Sequence, residues 1–140
     1  AKWHSKLGDE AVDDGKITTP SGRQYAFPDV IRRQSGQPTH FTMIKNYPVQ
    51  GFATGDIVPI VFLEMDKRLE PLNSCIVNSV HDSIVVDVHP HEKDAVIQII
   101  TDMNNNLNKI IEEAYNVKMN VPMLLEAKIG SNWLDIKDVC

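Results

Sequence analysis

Hydrophobic and polar positions follow two different periods along this chain, and together they predict a mixture of helices and strands. The clearest helical repeat runs from His91 to Tyr115, where apolar residues recur every three or four positions. Two runs rich in β-branched residues, 76–80 and 84–88, flank a polar His-Asp-Ser triplet. Runs of this length with polar residues between them predict a tight antiparallel hairpin. This central hairpin is the part of the chain around which we expect the fold to form.

Shorter patterns upstream predict three more helices, over residues 3–12, 39–46 and 51–69. A small hairpin is predicted over residues 16–27, because Thr-Pro-Ser-Gly at 19–22 suits a type I turn. We expect Pro48 to end the helix that precedes it and Pro59 to kink the helix that contains it.

Downstream of the long helix, residues 123–129 are predicted to form a last strand that joins the central hairpin. A strand reached through an intervening helix can enter the same sheet, with the helices on one face. The expected fold class is therefore α+β, with an antiparallel sheet built on the central hairpin and covered on one face by helices.

Composition narrows the class of protein. The chain has 140 residues, 42% hydrophobic and 24% charged, which fits one compact domain or a piece of a larger one. No apolar run approaches the roughly 18 residues that a membrane span needs, so we expect no membrane partner and a cytoplasmic location. The formal net charge of −5 argues against a generic polyanion-binding protein, so any contact with nucleic acid should be local.

The turn of the central hairpin is the candidate for chemistry. His81 and Asp82 stand where Asn-Gly or Asp-Gly would be usual, and two interpretations remain open. Asp82 is a good turn residue in its own right, but a carboxylate and an imidazole on a rigid platform also suit metal-assisted chemistry. A zinc hydrolase that adds His89 and His91 is a weaker alternative, because three or four ligands would have to converge.

Four segments in order resemble family A DNA polymerases, the group of bacterial DNA polymerase I and its phage relatives. The central turn, Val-His-Asp-Ser at 80–83, is similar to the third motif of that family. Asn-Tyr-Pro-Val-Gln-Gly at 46–51 resembles its Asn-x-Pro-x-Gln-Gly segment, and Thr-Thr-Pro-Ser-Gly-Arg at 18–23 resembles an earlier Thr-x-x-Gly-Arg turn. Gly-Ser-Asn-Trp at 130–133 resembles the Gly-x-x-Trp near the family's carboxyl terminus.

The resemblance implies that residues 1–140 are the carboxyl-terminal part of a polymerase palm. It makes Asp82 a catalytic residue, one of two aspartates that bind Mg²⁺, and puts His81 near the primer terminus. Asn46 and Gln50 would face the minor groove of the primer-template, and Arg23 would lie close to the DNA backbone. The implied substrates are primer-template DNA and a dNTP.

This sequence also departs from the family pattern. Ser83 replaces the glutamate that usually follows the aspartate, and Thr42 stands where an arginine is frequent. The second aspartate and the fingers helix are expected in an upstream polymerase segment, which would be a partner of this chain. A phage origin, a non-catalytic DNA- or protein-binding module of the same fold, and an unrelated metal hydrolase remain open at this point.

Overall fold

The computed structural model describes residues 2–139, which form two compact units with a boundary between Ile57 and Val58. Helices and short antiparallel strands occur in both units, so the predicted α+β class is confirmed. Within residues 2–139, no helix is long and apolar enough to cross a membrane.

The first unit packs helices around a small hairpin. Its elements are α1 (Lys2–Asp14), β1 (Lys16–Thr18), β2 (Gln24–Ala26), α2 (Phe41–Gln50) and a π-helix (Gly51–Ile57). The buried core is contributed by α1, β1, the segment that follows β2, and α2, through Leu7, Ala11, Ile17, Phe27, Val30 and Ile44. The predicted turn at 19–22 is confirmed, because the Gly22 N–H donates to the Thr19 carbonyl at 2.9 Å.

The predicted helix break at Pro48 is wrong. Helix α2 continues through Pro48 to Gln50, and the Pro48 side chain is buried. The proline lacks the N–H that would have bonded the Ile44 carbonyl and its ring crowds that carbonyl, and the burial of Ile44 and Pro48 outweighs this cost. The hydrogen-bonding pattern changes one turn later instead, in the π-helix Gly51–Ile57, and Pro59 is the second residue of the α-helix that follows it.

The second unit contains the central hairpin and the long helix. Its elements are α3 (Val58–Leu69), β3 (Cys75–Val80), β4 (Ser83–Asp87), α4 (Lys93–Tyr115), β5 (Lys128–Ile129) and β6 (Lys137–Asp138). Helices α3 and α4 supply most of the buried apolar side chains, Val61, Met65, Leu69, Val96, Met103, Leu107 and Ile111. The predicted hairpin and long helix are therefore confirmed.

The predicted strand over 123–129 is wrong, both in extent and in partner. Only Lys128–Ile129 is a strand, and it pairs with β6, so β3 and β4 form a two-stranded sheet. Two side chains of α4 bond the backbone ahead of β5 in place of a strand. Asn104 bonds both the N–H and the carbonyl of Leu125, at 2.6 and 3.0 Å. Asn108 accepts from the Met123 N–H at 3.0 Å and donates to the Val121 carbonyl at 2.9 Å.

Candidate nucleic-acid interface and metal-binding turn

The central hairpin turns in two residues. Val80 pairs with Ser83, which leaves His81 and Asp82 as the two central positions. His81 has φ +54° whereas Asp82 does not have a positive φ, the pattern of a type II′ turn. Glycine is usual at the first of these positions, because other residues are strained there. A histidine with positive φ at a tight turn is the kind of local strain that clusters at functional sites.

Ser83 has a structural part in this turn. Its hydroxyl donates to the Val80 carbonyl at 2.8 Å, which closes the turn across its base. The register of β3 and β4 also slips between Ile76 and Asn78, leaving a β-bulge that strengthens the local twist. The sequence therefore builds a short, twisted arm that presents His81 and Asp82, both exposed, at its tip.

Asp82 is the candidate Mg²⁺ ligand at this tip. Its carboxylate is exposed, and within residues 2–139 no three His, Cys, Asp or Glu side chains gather to hold a metal ion. The His89 and His91 rings lie 5.6 Å apart without such a third ligand in the described chain, so the metal-hydrolase alternative has no geometric support. A carboxylate oxygen is a suitable Mg²⁺ ligand, but a two-metal site needs a second carboxylate from another segment.

A latch that sequence analysis missed holds the two ends of the hairpin. Glu92 accepts hydrogen bonds from the Asn73 side chain and N–H and from the Ser74 hydroxyl and N–H, at 2.7 to 3.0 Å. The Ser74 hydroxyl oxygen also accepts from the His89 N–H at 3.0 Å, which joins the residue before β3 to the chain after β4. These hydrogen bonds, of which the one from the Asn73 N–H has the largest effect, lower the pKa of Glu92 to about 2. Nothing in the local sequence pattern signals this pairing, because Asn73 and Ser74 lie 19 and 18 residues before Glu92.

In the first unit, α2 presents an exposed polar face. Thr42, Asn46 and Gln50 are spaced four residues apart, so they lie one above another on the same side of the helix, and all three are exposed. Ile44 and Pro48, on another side, are buried. The structure thus brings the two predicted minor-groove residues, Asn46 and Gln50, together on one surface.

Aromatic packing fixes the end of this helix. The rings of Tyr25 and Tyr47 lie 5.5 Å apart, and those of Phe27 and Tyr47 lie 6.0 Å apart. Tyr25 approaches the helix so closely that a Cβ atom at position 51 would lie 1.7 Å from its hydroxyl oxygen. Gly51 is therefore required by a close approach, which gives a structural reason for the Gln-Gly pair in the sequence.

Arg23 is engaged with the π-helix. Its Nε and Nη2 atoms donate to Oδ1 of Asp56 at 2.9 and 2.6 Å, and Nη2 also donates to the Gly55 carbonyl at 3.1 Å. Asp56 is buried, and its other oxygen accepts from the Ser21 hydroxyl at 2.5 Å. Sequence analysis missed Asp56 and Ser21. The available signal was an acidic residue directly before Ile57, within a segment predicted to be helical.

Comparisons with known proteins agree with the motifs. The sequence profile of DNA polymerase family A matches residues 1–135. The chain is 28% identical over 137 residues to the thermostable DNA polymerase I of Thermus aquaticus, covering 97% of this chain and 15% of that protein. It is 30% identical over 132 residues to DNA polymerase I of Lactococcus lactis, covering 91% of this chain and 14% of the relative. For DNA polymerase I B of Arabidopsis thaliana chloroplasts and mitochondria, the identity is 29% over 140 residues, 94% of this chain and 12% of the relative.

The chain spans about one seventh of the length of these relatives. The match nevertheless runs through almost all of its own residues, including the Thr-x-x-Gly-Arg turn, the Gln-Gly helix and the His-Asp hairpin. This chain belongs to DNA polymerase family A.

Proposed function

We propose that this chain is the carboxyl-terminal part of a polymerase palm and takes part in template-directed transfer of nucleotides to a primer 3′ hydroxyl. The observation that carries the proposal is the exposed Asp82 at the tip of a two-residue hairpin, within a chain of this family. The activity requires the upstream segment, which would supply the second aspartate and the helix that binds the dNTP. The expected setting is the cytoplasm of a bacterium or of a phage-infected cell.

Asp82 fits a Mg²⁺ ligand because it is an exposed hard-oxygen donor on a rigid turn, with no ion pair among residues 2–139. The bound ions would polarise the primer hydroxyl and neutralise charge on the α-phosphate. Asp82 would supply one carboxylate ligand to the bound ions. His81, adjacent to it and also exposed, would orient the primer terminus. The tight turn keeps both side chains at one tip, so neither needs a flexible loop to reach the reacting end.

Asn46 and Gln50 would contact the primer-template in its minor groove. Every base pair presents acceptors there, so an amide donor can test the shape of a pair without reading its sequence. Their spacing of one helical turn lets the two amides follow successive positions along the groove. Arg23 would lie close to the DNA backbone. A non-catalytic duplex-binding module is the second candidate, favoured by this amide face, which needs no metal ion.

Complementation tests the proposal. The chain is co-expressed with the polymerase segment that precedes it, and Mg²⁺-dependent primer extension is measured on the reconstituted polymerase. Asp82→Asn removes an anionic ligand with almost no change in volume, so extension should fall roughly a thousandfold or more. Gln50→Ala should weaken the grip on primer-template without removing the dependence on Mg²⁺.

Control variants test the assignment of Asp82, and duplex binding without extension separates the two candidate functions. His89→Ala and Ser83→Ala should leave extension within a few-fold of wild type, because His89 has no part in the proposed site and Ser83 serves the turn. Near-normal extension by Asp82→Asn would refute the assignment of the metal ligand. Duplex binding without any extension in the reconstituted system would favour the non-catalytic module.

A further inference from the structure

We propose that Arg23 supports duplex binding as a positioning residue. Through Asp56 it fixes the π-helix Gly51–Ile57, and through that helix it fixes the exposed amide of Gln50, so its effect does not depend on touching a DNA phosphate. The inference rests on the proposed function, since it concerns how the primer-template surface is held in place.

The ion pair has the geometry of a structural clamp. Two nitrogens of Arg23 converge on one carboxylate oxygen of Asp56, at 2.9 and 2.6 Å, and the Ser21 hydroxyl bonds the other oxygen. The Asp56 side chain is only 5% exposed, whereas that of Arg23 is 48% exposed. A buried carboxylate that lost its partner would remain unpaired in the interior, so the pair holds this contact strongly.

The turn that carries Arg23 is itself ordered by the same network. Thr19 is buried, and its hydroxyl lies 2.7 Å from that of Ser21 and 3.2 Å from the Arg23 carbonyl. The Thr19 N–H also donates to the Arg23 carbonyl at 2.8 Å. The arginine therefore extends from a closed turn with a fixed backbone, and its direction toward Asp56 is set before any ligand binds.

The π-helix is the segment that needs such support. Seven residues of π-helix are unusual, because this form is rare and occurs mostly as single turns. In an α-helix the Gly55 carbonyl would accept from the N–H of the residue four positions on, but that residue is Pro59, which has none. The Nη2 atom of Arg23 donates to this carbonyl at 3.1 Å, so the arginine braces the segment at a point where an α-helical hydrogen bond cannot form.

The contacts continue from the π-helix to the amide face. The hydroxyl of Thr54, two residues before Asp56, donates to the Gln50 carbonyl at 2.6 Å. Gln50 immediately precedes Gly51, where the ring of Tyr25 packs against the backbone. Loosening Gly51–Ile57 would therefore release the carboxyl-terminal end of α2 and increase the freedom of the Gln50 side chain.

Salt dependence distinguishes this role from a phosphate contact. Each phosphate contact that is lost should reduce the slope of log affinity against log salt by roughly 0.9. A positioning residue lowers affinity at every salt concentration and leaves the slope unchanged. Asp56 sharpens the distinction, because a buried carboxylate cannot bind DNA and its loss would free Arg23 for a phosphate.

The experiment measures primer-template affinity of the reconstituted polymerase from 50 to 300 mM NaCl, roughly the range in which phosphate contacts are resolved. Arg23→Gln and Asp56→Asn should each weaken binding on the order of tenfold, the effect of losing one charged hydrogen-bonded pair. The double variant should be no weaker than either single one, and the slope should stay that of wild type. KM for primer-template should rise while kcat changes little.

Two further variants and a local measurement complete the test. Arg23→Lys should not restore affinity, because an ammonium group cannot make the forked contact, and Arg32→Gln, which breaks an exposed pair with Asp9, is the matched control. Amide exchange over residues 51–57 should accelerate in Arg23→Gln and not in Arg32→Gln. Ser21→Ala, which should fold normally, should show a smaller effect in the same direction.

The outcomes are distinct. A slope reduced by about one unit, rescue by Arg23→Lys, or tighter binding by Asp56→Asn would overturn the inference and make Arg23 a direct phosphate ligand. A reconstituted wild-type polymerase that neither binds nor extends primer-template would refute the proposed function, and this inference with it.

Discussion

The Asn104 and Asn108 side chains hold the extended segment before β5, and removing either should release it. Each amide makes two hydrogen bonds to backbone groups of that segment, and together they bond Val121, Met123 and Leu125 at 2.6 to 3.0 Å. An asparagine side chain presents an N–H donor and a carbonyl acceptor side by side, so it can bond the N–H and the carbonyl of a backbone segment together. The two side chains, one helical turn apart, thus act as a substitute for a neighbouring strand.

The magnitude follows from the number of bonds. Asn104→Ala removes both bonds to Leu125, at about 1 kcal/mol each, so local opening of the segment should become easier by ~2 kcal/mol. This corresponds to amide exchange about 30-fold faster at Leu125. Asn108→Ala should have an effect of the same size at Met123. Asn104→Asp should recover only part of the loss, because it keeps an acceptor for the Leu125 N–H but sets an oxygen against the Leu125 carbonyl.

Amide hydrogen exchange resolved by residue is the assay, with denaturation by urea as the global measure. Asn105→Ala is the matched control, since this neighbouring asparagine is exposed and, within residues 2–139, makes no hydrogen bond to the extended segment. It should leave exchange at Met123 and Leu125 unchanged. If Leu125 keeps its wild-type protection in Asn104→Ala, the side-chain bonds do not hold the segment and the reasoning is refuted.

Three further predictions follow from other contacts. Gly51→Ala should destabilise the first unit by ~1 kcal/mol, because overpacking against Tyr25 exceeds the gain in helix propensity. In a Tyr25→Ala background the same substitution should become stabilising. Urea denaturation of the wild type, the two single variants and the double variant checks this change of sign. The hydrogen bonds of the Glu92 latch should be intact above about pH 4.5 and weaken as pH falls toward 2, because the pKa of Glu92 is lower in the folded than in the unfolded chain. Glu92→Gln should remove this part of the acid dependence of the urea midpoint. An acid dependence that is the same in Glu92→Gln and wild type would contradict the prediction. The 140-residue chain alone should bind duplex weakly and in a salt-sensitive way, because a chain with a net charge of −5 can neutralise few phosphates, and it should not extend primers; anisotropy with labelled primer-template and an extension assay test both statements.

The local sequence pattern was sufficient to predict the elements that are specified by residues close together in the chain. The apolar repeat of α4, the β-branched runs of the central hairpin and the Thr-Pro-Ser-Gly turn each specify one conformation within a short window, and each is confirmed. The left-handed conformation of Asn116, with φ +56°, likewise ends α4 at a residue type that tolerates this geometry. The family motifs also lie in short windows, which is why the sequence suffices to assign the family.

Tertiary structure decided the features that depend on partners distant in sequence. Pro48 remains within α2 because its burial outweighs the cost of a proline inside a helix. Residues 123–127 do not form a strand because the side chains of Asn104 and Asn108 bond their backbone in place of a neighbouring strand. Arg23 reaches Asp56 across 33 residues, a pairing that no local period encodes. Periodicity reports which side of an element is apolar, whereas the partner of each polar group is fixed only when the chain folds.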